Sequence, residues 1–236
     1  MLLVIDIGNT NITLGLYDGE ERVAAWRMAT VHERMPDEYA VVFQGFLQSA
    51  GLSFDTFDRI VLGSVVPQLT QGIARIVTRQ DGRKPLIVRP PHTPIGLDIR
   101  TEHPAEIGAD LVADAVAAYD YFKTNSIVVD FGTATTFTAV AEPGVLLGVA
   151  IAAGLNVTAN ALVERTAQLP MIELTAPPSI IGRNTVHAMQ AGLVLGYVSM
   201  VEGIIDRMRM ELGHAQVVAT GGLSALVGPL TDRFNA

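Results

Sequence analysis

The stretch "VIDIGNTNITLGL", Val4–Leu16, decides how the rest of this chain is read. An apolar run carries a carboxylate, Asp6, and breaks into Gly-Asn-Thr. It then alternates, with Ile12, Leu14 and Leu16 separated by Thr13 and Gly15. A strand buried on both faces would stay apolar throughout. A glycine with short polar neighbours instead makes a turn whose backbone can come close to a ligand, and Asn9, Thr10, Asn11 and Thr13 supply donors beside it.

The same pattern returns. "VVDFGTATTFTAV" begins at Val128, 124 residues after Val4, and again has two β-branched residues, Asp, an apolar residue, Gly and small polar groups. A second pair follows, "RIVLGSVVPQL" from Arg59 and "QVVATGGLSAL" from Gln216, 157 residues apart. Internal self-similarity marks a duplicated architecture. The two offsets differ by 33, so the second half carries an insertion of that length. Strand patterns occur at 2–7, 12–17, 22–28, 59–62 and 85–88, and again at 126–130, 135–140, 145–151 and 216–219. Helical patterns cover 37–50, 111–122 and a long stretch, 186–212. Strands alternating with helices indicate an α/β fold. We expect two similar domains, 1–118 and 119–236, with a cleft between them and a helical insertion in the second that serves dimerisation.

Composition narrows the function. Apolar residues make up 49% of the 236 and charged residues 17%, so much of the surface is buried within the chain or against another copy. A net charge of −8 with no basic run argues against nucleic acid and anionic membranes as partners. With no cysteine there is no disulfide, thiolate metal site or cysteine nucleophile. The N-terminal stretch lacks the basic start of a signal peptide, and the longest smooth apolar run, Val145–Leu155, is too short for a bilayer. The expectation is a soluble, cytoplasmic protein.

Each Asp-Gly turn admits two readings. Gly-Asn and Gly-Thr are ordinary hairpin chemistry. Two copies with Asp at the same place, and Thr133, Thr135 and Thr136 in the second, favour a phosphate clamp. A carboxylate at a strand end can hold Mg²⁺ through water, with phosphate oxygens completing the shell. "ATGGLSALV", Ala219–Val227, offers a flat glycine surface for adenine or ribose, or a plain strand-to-helix turn. Asp110, just before a helix pattern, reads equally as a helix N-cap or a catalytic carboxylate. No pair among the five histidines has helical metal spacing.

The segments "DIGNTNITLGLY" (6–17), "GSVVPQLT" (63–70), "HPAEIGADLVADAVAAY" (103–119), "VDFGTATTFTAV" (129–140), "TAQLP" (166–170), "IGRNTVHAMQAGLVLGYVSMVEGII" (181–205) and "ATGGLSALV" together resemble type III pantothenate kinases, of the actin-like ATPase and sugar kinase superfamily. The resemblance spans nearly the whole chain. It implies two duplicated ribonuclease H-like domains with a nucleotide cleft, and ATP-dependent phosphorylation of pantothenate, the first step towards coenzyme A. It also implies a homodimer, Mg²⁺ and a monovalent cation, K⁺ or NH₄⁺. By position, Asp6, Ile7, Gly8, Asn9, Thr10, Asn11, Ile12, Thr13 and Thr133 would contact ATP. Asp110 would be the general base, and Thr101, Gly108, Ala109, Asp110, Leu111 and Thr185 would meet pantothenate. Asp130 would bind the monovalent cation and Asp6 the Mg²⁺ through water. The chain departs from the family pattern at Leu111, where the family has arginine, and at Thr101, where it has tyrosine. These acceptor-side changes also fit a kinase of another small alcohol, or a regulatory nucleotide-binding paralog.

Overall fold

A computed structural model describes all residues, 1–236, as two compact α/β units. The first comprises 1–94 and 103–113, the second 95–102 and 114–236.

The first unit is built on β1 (Leu2–Ile7), β2 (Asn11–Asp18), β3 (Glu21–Ala29), β4 (Arg59–Ser64) and β5 (Leu86–Ile87), in sheet order β3-β2-β1-β4-β5. β1 pairs antiparallel with β2 and parallel with β4. Alternation explains the carboxylate in β1. Leu3, Ile5 and Ile7 point into the core with Ile12, Leu14 and Leu16 of β2, all fully buried. Asp6 lies on the opposite face of the strand and is exposed. Each fully buried Leu or Ile contributes about 1.5–3 kcal/mol. The helices α1 (Pro36–Ser49) and α2 (Pro67–Asp81) add Tyr39, Phe43, Leu47, Leu69, Ile73 and Val77 to this core. Pro36 starts α1 at a position where its missing N–H is not needed, and the Glu38 carboxylate accepts from Met35 N–H at 2.8 Å. Gly82, in the left-handed conformation at φ 80°, ends α2.

β6 (Asp98–Ile99) belongs to the second unit, and α3 (Ala109–Phe122) starts in the first and continues into the second. The second unit has β7 (Ser126–Phe131), β8 (Ala134–Ala141), β9 (Val145–Ala153) and β10 (Gln216–Thr220), in sheet order β10-β7-β8-β9-β6. The strands β7, β8, β9 and β10 repeat the pairing of β1, β2, β3 and β4, antiparallel twice and parallel once. The fifth position is also echoed. Asn235 N–H donates to Val217 O at 2.7 Å and Ala219 N–H to Ala236 O at 2.9 Å, so the last residues lie along β10 as β5 lies along β4.

The repeat is not a single offset. β1 and β7 differ by 124 residues, but the first turn holds four residues between Ile7 and Ile12 and the second only three between Phe131 and Thr135. Ile12 therefore corresponds to Thr135, not Thr136, and the buried series Ile12, Leu14 and Leu16 becomes Thr135, Phe137 and Ala139. The extra 33 residues fall between β9 and β10. The stretch holds α4 (Leu155–Glu164), an irregular segment 165–184 and a helix longer than its counterpart α1, partly offset by shorter connections around them.

That helix is three pieces, α5 (Thr185–Gln190), a π-helical turn at 191–195 and α6 (Gly196–Leu212). Gly196 N–H reaches back five residues to Ala191 O. By length and composition the stretch Thr185–Leu212 could cross a bilayer, yet half of its most apolar window is buried inside the protein. Met189, Leu193, Tyr197, Val198, Val201 and Ile205 pack into the core of their own unit. A core helix of a soluble protein has the same signature.

Candidate active site

In the first unit the ends of three elements converge on Gly63, the penultimate residue of β4. It pairs with Asp6 across the parallel ladder. A Cβ placed on it would lie 3.9 Å from Asp6 Oδ1 and 3.7 Å from Ala109 Cβ. Both distances are ordinary van der Waals contacts, so Gly63 marks the place where the N-terminus of α3 comes near the carboxylate of β1. The next residues complete the seat, because a Cβ on Gly108 would lie 3.2 Å from Val65 Cγ1. Asp6, the Gly8 turn and the "GAD" segment, Gly108–Asp110, thus belong to one unit.

Asp110 is not the cap of α3. The Gly108 carbonyl accepts the first helical bond, from Val112 N–H at 3.1 Å, and Asp110 occupies the second helical position. Its Oδ1 accepts from Leu111 N–H at 2.8 Å. A side chain on Gly108 would overlap that same oxygen. The carboxylate is therefore fixed by one backbone donor and by the absence of a neighbouring Cβ. It lies in the first turn of a helix, where the dipole favours negative charge.

The phosphate turn is closed by Gly8 N–H donating to Asn11 O at 2.9 Å. Asn9, Thr10 and Asn11 are exposed, Thr13 is half-buried, and Ile7 and Ile12 are core residues. Of the residues carried over from the family for ATP, Ile7 and Ile12 can offer only backbone groups.

In the second unit Asp130 is the penultimate residue of β7, as Asp6 is of β1. Glycines stand at both of its oxygens. A Cβ on Gly221 would overlap Oδ1, and one on Gly132 would lie 3.4 Å from Oδ2. Gly221 has φ +88°, a conformation open to glycine and strained for other residues. Two glycine backbones therefore stand close against this one carboxylate. No cluster of three or more His, Cys, Asp or Glu exists, so backbone oxygens, water and phosphate would complete the shell of any cation here or at Asp6.

Behind this turn, the buried Tyr197 hydroxyl hydrogen-bonds the hydroxyl of Thr135, the first core residue of β8 after the turn. Burial pushes the Tyr197 phenol up. The bonds to Thr135 and to the Leu155 backbone partly offset this, and the negative charge of Asp130 adds to it. Gly154 packs against the turn's Thr133 carbonyl, to which its N–H donates at 3.1 Å.

Thr101 and Thr185 belong to the second unit, whereas Gly108–Leu111 belong to the first. Thr101 Oγ1 is buried without a hydrogen-bond partner. Thr185 opens α5 beside the N-cap Asn184, whose side chain accepts from His187 N–H at 2.8 Å. It lines an open cavity of about 750 Å³ with Arg183, Gly192, Leu162 and Leu169. Sequence reasoning missed Gly63, Gly154 and Tyr197 as site-building residues, and it read Gly221 as part of a surface for adenine or ribose rather than as the neighbour of Asp130. Gly63 and Gly154 stood in or beside matched segments as unexplained glycines, while nothing local marks Tyr197.

Comparison with known proteins places the chain in a family. The family model described as type III pantothenate kinase matches residues 2–207. The type III pantothenate kinase of Moorella thermoacetica is 47% identical over 230 residues, 97% of this chain and 90% of that protein. That of Geobacter sulfurreducens is 45% identical over 237 aligned positions, 100% of this chain and 92% of that protein. Among solved structures, a Baf family protein from Campylobacter jejuni shares the fold at TM-score 0.59 and 17% identity, over 98% of this chain and 89% of that one. The ethanolamine utilization protein EutJ of Carboxydothermus hydrogenoformans does so at TM-score 0.54 and 14% identity, over 96% and 78%. With a family match over residues 2–207, relatives aligned over nearly the whole chain and a duplicated ribonuclease H-like fold in agreement, the chain belongs to the type III pantothenate kinase family.

Proposed function

We infer that the protein transfers the γ-phosphoryl group of ATP to the primary hydroxyl of pantothenate, with Asp110 as general base. The observation that carries this reading is the approach of Asp6 and of Ala109, the neighbour of Asp110, to the same Gly63, in a chain 47% identical to a type III pantothenate kinase. Phosphoryl transfer demands alignment and charge neutralisation more than covalent help. Backbone N–H groups of the Gly8 turn, with Asn9, Thr10, Asn11 and Thr13, bind ATP phosphates, and Thr133 contacts ATP. With Oδ1 of Asp110 tied to Leu111 N–H, the other carboxylate oxygen accepts the hydroxyl's hydrogen bond. It takes the proton late, as charge develops on the attacking oxygen. Gly108, Ala109 and Leu111 shape the acceptor's surroundings, with Thr101 and Thr185 contributing contacts.

Mg²⁺, held through water by Asp6, would neutralise phosphate charge, and a monovalent cation, K⁺ or NH₄⁺, would sit at Asp130. Both sites offer hard oxygen donors, which such cations prefer. We place the protein in the cytoplasm, as a homodimer. The exposed Leu147, Ile151, Ile180 and Ile181 of the second unit support association, since such apolar side chains gain from burial against a second copy.

Leu111, where an arginine clamp for an anionic group stands in the family, keeps another small alcohol in play as acceptor. Coupled ADP release with pantothenate, run beside a panel of other primary alcohols, distinguishes them. Turnover on pantothenate above the panel supports the reading, and preference for another alcohol replaces the substrate.

A further inference from the structure

We propose that Thr30 is a positioning residue that aims the backbone donors of the Gly8 turn, an inference that rests on the reading of this turn as the ATP phosphate site. Thr30 directly follows β3. Its hydroxyl donates to the Gly8 carbonyl at 2.7 Å, and its own N–H donates to the Thr10 carbonyl at 2.8 Å. One residue therefore holds two alternate carbonyls of a four-residue turn.

The consequence follows from peptide geometry. The only cis peptides are Pro90-Pro91 and Glu142-Pro143, so those of the turn are trans. In a planar trans peptide the C=O and N–H of one unit point in opposite directions. Holding the Gly8 carbonyl towards Thr30 turns the Asn9 N–H away from it. Holding the Thr10 carbonyl turns the Asn11 N–H away likewise. Two donors are thus fixed on the side of the turn that Thr30 does not cover, before any phosphate arrives. Preorganised donors of this kind are worth more than mobile ones, because no reorientation accompanies binding.

The second half of the chain isolates the part played by the hydroxyl. Residue 154 occupies the place of Thr30, directly after β9, and Gly154 N–H donates to Thr133 O at 3.1 Å. The backbone half of the brace is therefore duplicated. The hydroxyl half is not, because residue 154 is glycine and a Cβ there would overlap Thr133 O and lie 2.7 Å from Gly132 O. The longer first turn carries a side-chain strap, whereas the shorter second turn is closed by direct backbone contact.

The test is steady-state kinetics on the full-length protein carrying Thr30→Val, Thr30→Ser or Thr30→Ala, with thermal unfolding run alongside. Valine keeps the shape and loses the donor, whereas serine keeps the donor. We expect Thr30→Val to raise KM for ATP about five- to tenfold, the effect of one hydrogen bond, and to leave KM for pantothenate within about twofold. Thr30→Ser returns KM for ATP to within about twofold of wild type. Should Thr30→Val not fold, the contrast between Thr30→Ser and Thr30→Ala carries the same test. A KM for ATP unchanged in the valine and alanine variants, or equal rises for both substrates, overturns the inference and leaves the phosphate-turn reading standing. Gly8→Ala separates the two, because its Cβ would crowd Asn11 O at 3.1 Å. If that variant also leaves KM for ATP unchanged, the phosphates bind elsewhere and both readings fall.

Discussion

Gly221 and Asp130 are a matched pair: the glycine directly after β10 sets its backbone against Oδ1 of the carboxylate one residue before the end of β7. A Cβ there would overlap that oxygen and lie 2.6 Å from the Phe131 nitrogen, so backbone as well as side chain blocks relaxation. The neighbouring Gly222 meets nothing within 4 Å.

Gly221→Ala is therefore expected to destabilise the protein by about 1–3 kcal/mol through overpacking and strain at φ +88°. It should also weaken activation by K⁺, because Asp130 must move. Gly222→Ala should stay within about 0.5 kcal/mol. Urea denaturation of both, with initial rates across a KCl series, checks this; equal effects would mean that the cradle around Asp130 is not what Gly221 provides.

Tyr197→Phe should cost about 1–3 kcal/mol, since it leaves the buried Thr135 hydroxyl and the Leu155 N–H without their shared partner. A variant as stable as wild type in chemical denaturation would show that water replaces the phenol.

The same phenol gives an alkaline limit. Burial raises its pKa above the ordinary value, so in this region the unfolded chain loses the proton first. The stabilisation is complete below the unfolded value of about 10 and is lost as pH rises through the folded one. Unfolding free energy measured at pH 8 and at pH 10.5 should fall more steeply in wild type than in Tyr197→Phe. Parallel curves would assign the alkaline loss to other groups.

Much of this was legible in the sequence because it is local. The two Asp-Gly turns, the strands around them and the insertion in the second half all follow from short-range pattern. The exact register of the repeat did not. Ser126, Ile127, Val128 and Val129 are buried on both faces of β7, so the second hairpin shows no alternation that would reveal its one-residue deletion. α2 follows the strand of the "RIVLGSVVPQL" segment, and Gly72 with three threonines or glutamines in its first half blurs its helical stripe. The two-residue strand β6 carries too little pattern to find, and the π turn at 191–195 has no compositional signature. Gly63, Thr30 and Tyr197 act on residues brought to them only by folding.

Association should run through the second unit, though not through the core-facing stripe of the long helix, whose Val201 and Ile205 are fully buried in their own unit. Ile151, 71% exposed on β9, and Ile181, 75% exposed, are better placed. Sedimentation at micromolar concentration should give a dimer for wild type and a shift towards monomer for Ile151→Asp. A wild-type monomer contradicts the assembly, and an undisturbed dimer in the variant moves the interface elsewhere.

The most direct measurement is mass-spectrometric detection of phosphorylated pantothenate after incubation with ATP, Mg²⁺ and K⁺, for wild type and for Asp110→Asn. The account predicts product from wild type and a rate lower by about 10²–10⁴ in the variant, the usual contribution of a positioned base, with the fold unchanged by circular dichroism. Absence of phosphorylated pantothenate from wild type, or a variant turning over at the wild-type rate, would contradict it.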